Sequence, residues 1–144
     1  MPNFIVKTYQ KDTIYRGNQI FILNKGINSG KPQKEPFANS YVVIFASEED
    51  AEMMYWLAYS LWQMRFWHQH LIGSVIPFIR IKCFQSEFDH KVTKMLTDFE
   101  QHKKDIHAIK ELEQQKQHLK RNITLINELK KCILSRYCHE TKKA

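Results

Sequence analysis

Beyond Pro77 the sequence contains neither glycine nor proline. That absence removes the residues that most readily make tight turns or break a helix. It permits one long helix, or an antiparallel helical pair, over the rest of the chain. Cysteine is also scarce. Cys83, Cys132 and Cys138 are odd in number and without framework spacing, which excludes a disulfide-stapled scaffold and suits a reducing cytoplasm. Long hydrophobic runs are missing too. The most apolar stretch, AEMMYWLAYSLWQMRFW, is too short to span a bilayer and contains Glu52, Gln63 and Arg65, so no membrane span is expected. The opening MPNFIVKTYQ lacks a basic-then-apolar signal pattern, and a cytoplasmic protein is expected.

Reactive constellations are equally absent. There is no G-x-S-x-G elbow, no H-E-x-x-H motif and no Cys/His pairing of catalytic type. His68 and His70 form an H-x-H pair and Cys138 abuts His139, but neither has zinc-ligand spacing. His90, His102, His107 and His118 read as polar-face helix residues. The expectation is therefore no metal, no cofactor and no enzymatic activity. GINSGKP (26–32) resembles a phosphate-binding loop only superficially: three residues separate its glycines instead of four, and Pro32 follows Lys31 where Ser or Thr would hold magnesium.

What is present is unevenly distributed. Of 18 aromatic residues, 15 precede residue 85, leaving only Phe88, Phe99 and Tyr137 after it. A globular core is expected over 1–86, a helical spacer or dimerisation region over 87–138, and a basic tail over 139–144. The formal charge is +7, with nine Lys/Arg against six Asp/Glu in 1–86 and thirteen against nine in 87–144. A positive field over the whole surface favours polyanionic partners, nucleic acid first, although an ordinary basic protein has the same balance.

NFIVKT (3–8), QIFILN (19–24) and YVVIFA (41–46) read as three strands. Between the last two lies NKGINSGKPQKEPFANS (24–40), a long basic loop punctuated by glycine and proline. Ser47 followed by Glu48, Glu49 and Asp50 predicts a helix start, and the apolar stripes that follow predict a helix to about Trp67, buried on more than one side. Its tryptophans could also stack bases, but helical spacing favours the core. VIPFIRIKCF (75–84) then reads as a closing strand, with Pro77 near its start or at an edge. From Glu87, Phe88, Val92, Met95, Leu96 and Phe99 share a helical face. Leu112, Leu119, Ile126 and Ile133 recur every seven residues, supported by Ile109, Ile123 and Leu129, as an imperfect coiled-coil seam. The fold class expected is α+β: a small β-rich domain with one large aromatic helix, followed by a long helix or helical hairpin.

The order of these parts resembles half of a type I restriction–modification specificity subunit, a target-recognition domain followed by a spacer helix. The likeness rests on LIGSVIPFIRI (71–81), on ITLINELKKCILSRY (123–137) and on NKGINSGKP (24–32). KCFQSEFDHK (82–91) stands where that family has a proline-rich junction. The resemblance implies a non-enzymatic module that reads duplex DNA, with Lys25, Asn28, Ser29, Lys31 and Lys34 approaching phosphates or bases and Arg16 and Arg80 assisting. It also implies that Leu112, Leu119, Ile126 and Ile133 form a seam with a twin or a methyltransferase-like subunit. The competing expectation is a scaffold or adaptor that uses the helix for protein association and binds no DNA.

Overall fold

Short runs rich in β-branched and aromatic residues build most of a four-stranded antiparallel sheet in a computed structural model that describes residues 3–138. Its strands are β1 (Phe4–Thr8), β2 (Asn18–Leu23), β3 (Pro32–Gln33) and β4 (Ser40–Phe45), in the order β1-β4-β2-β3. The fold is α+β, and each of the three expected strands lies within one residue of its expected bounds. Opposed pairs such as Ile20↔Val43 and Ile22↔Tyr41 put Ile20, Ile22, Tyr41, Val43 and Phe45 into the main core. Phe21 and Val42 face the other way and are also buried, with the Tyr9 ring set edge-on to Phe21 at 5.6 Å. β3 was not foreseen. Pro32 is tolerated there because β3 is an edge strand, where a missing N–H need not break a ladder.

Helix α1 (Glu48–Gln63) starts as the sequence dictates: Ser47 Oγ accepts from the Asp50 N–H at 3.1 Å. It ends earlier than the expected Trp67. Arg65 adopts a left-handed φ of 57°, and Phe66–His70 form a separate 3₁₀ turn that drives Trp67 into the core at 1 % exposure. Trp67 packs on Phe84 at 5.1 Å, and Phe84 stacks on Phe88 at 5.2 Å.

The expected closing strand over 75–84 does not form. Ile72 and Phe78 exchange two backbone hydrogen bonds, 3.0 and 2.9 Å, and close a tight loop on themselves. Gly73, at φ +102°, is required in that loop because a Cβ would stand 2.8 Å from the Ile76 carbonyl. Only a short strap follows: the Gly26 N–H donates to the Pro77 carbonyl and the Ile79 N–H to the Asn24 carbonyl. Helix α2 (Ile81–Leu96) then begins, since Phe84, Phe88, Val92 and Met95 follow a helical period and bury one stripe. Each such side chain contributes about 1.5–3 kcal/mol when fully buried, more than one extra edge pairing would.

Helix α3 (Phe99–Cys138) follows a break at 97–98, so QHKKD (101–105) is helical and not a turn. The chain divides into two units, Met1–Ile106 and His107–Ala144. The first extends beyond residue 86 because Phe88, Val92, Met95 and Ile106 are buried. The basic tail expected at 139–144 lies outside the described residues.

Candidate functional site

The glycine loop is held rigidly by its own bonds. Gly26 and Gly30 take φ of +96° and +99°, and the Gly30 N–H donates to the Leu23 carbonyl at 2.7 Å. Ser29 is buried at 1 % exposure, and its hydroxyl donates to the Gly26 carbonyl at 2.6 Å. It shapes the loop from inside. Gly30 lies flat against the Trp67 indole; a Cβ there would come within 2.7 Å of both Cγ and Nε1. The loop therefore rests on the core residue that the turn after α1 places beneath it.

The cations divide by occupation. Lys31 Nζ stands 5.1 Å over the Trp62 ring, and Lys34 Nζ stands 5.0 Å over Tyr55 while pairing with Glu52 at 3.0 Å. Both are spent partly on the aromatic helix. Lys25 and Asn28 are exposed. Lys25 pairs with Phe78 across the strap, which brings it close along the backbone to exposed Arg80. Arg16 is not part of this group. It precedes β2 and Lys25 follows it, so the strand, roughly 20 Å long at 3.3 Å per residue, separates them.

Beside the loop lies a cleft of about 530 Å³, lined by Ile27, Asn28, Trp62, Gln63, Arg65 and His68. Only Asn28 among these was expected at a site. Trp62, Arg65 and His68 reach it because α1 stops at Gln63 and the chain turns through Arg65, which helical periodicity alone does not reveal.

The seam residues stand out on α3. Leu112, Leu119, Ile126 and Ile133 are 68, 62, 56 and 52 % exposed, and Ile123, Leu125, Leu129, Leu134 and Tyr137 are exposed with them. At 3.6 residues per turn these apolar positions cover roughly half of the helix circumference over 119–137.

Burial raises the Tyr41 hydroxyl pKa while its O–H donates to the Ile79 carbonyl at 2.6 Å. Cys83 is raised by burial and then by Glu87, the opposite of an activated thiol. Among the described residues no group of three or more His, Cys, Asp or Glu side chains could hold a metal ion. No helix among them is long and apolar enough to cross a membrane. No curated protein and no solved structure matches the chain. A family model described as a family of unknown function, DUF6943, matches residues 6–136, and the chain belongs to that family.

Proposed function

We propose that this chain is a non-enzymatic association module that pairs with a second copy of itself through helix α3. The observation that carries the reading is the row of exposed apolar positions from Leu112 to Ile133, interrupted by Gln115, Lys116, Asn122 and Lys130. A helix with that much uncovered aliphatic surface gains little from water and much from a facing helix. Pairing between identical chains is the commonest way to close such a surface. Light scattering tests it. The wild type should have about twice the 17.3 kDa chain mass. Leu119→Asp with Ile126→Asp should return it to the single mass, because a charge forced into an apolar seam is heavily penalised. Lys120→Asp, on the polar side of α3, should not. A double seam variant that keeps the wild-type mass would overturn the reading.

A second reading is favoured by the strap next to the glycine loop, where Lys25 bridges to Phe78 and both Lys25 and the nearby Arg80 are exposed. On that reading the globular unit docks on duplex DNA, as the resemblance to specificity subunits implies. Lys31 and Lys34 contribute less, since aromatic rings and Glu52 already hold them. Each neutralised phosphate adds about 0.9 to the slope of log K against log salt. Lys25→Ala with Arg80→Ala should therefore lower that slope by roughly 1.8. Duplex binding with an unchanged slope would remove the strap from the interface.

A further inference from the structure

We propose that the cleft between the glycine loop and the end of α1 binds a nucleoside phosphate. All its lining residues lie within the unit Met1–Ile106, so the proposal stands independently of pairing through α3.

The fixed charge in the cleft's lining is positive. Its lining includes Arg65 and His68 and no carboxylate, and neither of those two joins a salt bridge among the described residues. The Lys31 ammonium stands 5.1 Å over the ring of Trp62, one of the lining residues, and is a second cation in this neighbourhood. A helix C-terminus would ordinarily oppose an anion through its free carbonyls. Two of those carbonyls are taken: Ser60 accepts from the Met64 N–H at 3.0 Å and Trp62 from the Arg65 N–H at 3.0 Å. The Arg65 guanidinium and the His68 imidazole line the cleft beside them. A guanidinium matches two phosphate oxygens at once.

The rest of the lining suits a flat polar ring. Trp62 and the 60 % exposed Ile27 provide apolar surface. The Asn28 amide offers both a donor and an acceptor, and Gln63, whose amide N–H donates to the Tyr59 hydroxyl at 3.1 Å, keeps its carbonyl as an acceptor. Base edges present the complementary groups. A cleft of about 530 Å³ is of the size that small-molecule sites have. Phosphate alone would leave most of it unused.

Arg65 adds an independent sign. It holds φ 57° just after the end of a helix, where glycine is the residue without strain. A cationic side chain is kept at a backbone position that favours having none. Strain of this kind clusters at ligand sites.

The test is calorimetric titration of the full chain with AMP, GMP, CMP and UMP separately, with inorganic phosphate, and with a single-stranded tetranucleotide. At least one mononucleotide should bind with one-to-one stoichiometry. Arg65→Gly should weaken it about tenfold or more, as loss of a charge-assisted hydrogen bond does, and His68→Ala should weaken it as well. Arg65→Gly should fold with an unchanged or higher thermal midpoint, because glycine adopts that φ freely, so its loss of binding cannot be assigned to unfolding. A tetranucleotide that binds more tightly than any mononucleotide makes a strand the source of the ligand; an equal or weaker one makes it a free nucleotide. No binding of any mononucleotide at millimolar concentration overturns the proposal. So does full affinity in folded Arg65→Gly, or inorganic phosphate binding as tightly as the nucleotides.

Discussion

Gly30→Ala isolates the contact on which the loop rests. Two costs arise at this position. The backbone holds φ +99°, a conformation that side chains rarely adopt, and the added methyl meets the buried Trp67 indole. The strain alone amounts to roughly 1–3 kcal/mol, and overpacking a filled interior adds about 1–3 kcal/mol. The sum, roughly 2–6 kcal/mol, is a large part of the 5–15 kcal/mol that stabilises a typical domain. Gly26→Ala is the internal control, because its φ of +96° gives similar strain while nothing lies within 4 Å of the new Cβ. Urea unfolding followed by tryptophan fluorescence gives both midpoints, compared at constant m. Gly30→Ala should be the more destabilised by at least about 1 kcal/mol. Replacing Trp67 by Leu in the Gly30→Ala background should recover part of the difference, a coupling that a double-mutant cycle reads directly. Equal midpoints for the two glycine variants would refute the claim that the loop is seated on Trp67.

Further outcomes follow from single contacts. Tyr41→Phe removes the buried hydroxyl that donates to the Ile79 carbonyl at 2.6 Å and leaves that carbonyl unpaired, which should lower unfolding stability by about 1–3 kcal/mol. His102 has its pKa lowered by burial against a smaller opposing effect from Asp105, and its Nε2 finds no hydrogen-bond partner among the described residues. Folding therefore favours its neutral form. The stability it confers is complete above the unfolded value near 6.5 and is lost as pH falls below it towards the lowered folded value. Unfolding midpoints measured from pH 8 to 5 should decline less steeply in His102→Gln than in the wild type; identical profiles would contradict the assignment.

The strands were legible because NFIVKT, QIFILN and YVVIFA are short runs rich in β-branched and aromatic residues, a local signal, and the start of α1 was legible because Ser47 and three acids announce it. The end of α1 was not. Residues 64–67 continue the apolar period, and only the left-handed turn at Arg65, which no residue type demanded, diverts Trp67 into the core. VIPFIRIKCF illustrates the ambiguity of short apolar runs. Its first half closes a loop and its second half starts a helix, and the choice is made by tertiary burial of Phe84 beside Phe88. The cleft needed three dimensions, since it joins Asn28 to His68 although two strands and a helix separate them in the chain. The seam on α3 needed only the seven-residue period.

Sedimentation equilibrium of the wild-type chain from micromolar to hundreds of micromolar tests the central claim most directly. The account predicts a mass that rises with concentration from 17.3 kDa to twice that value, and no rise in the Leu119→Asp, Ile126→Asp variant. A wild-type chain that stays at 17.3 kDa over the whole range would contradict pairing through α3.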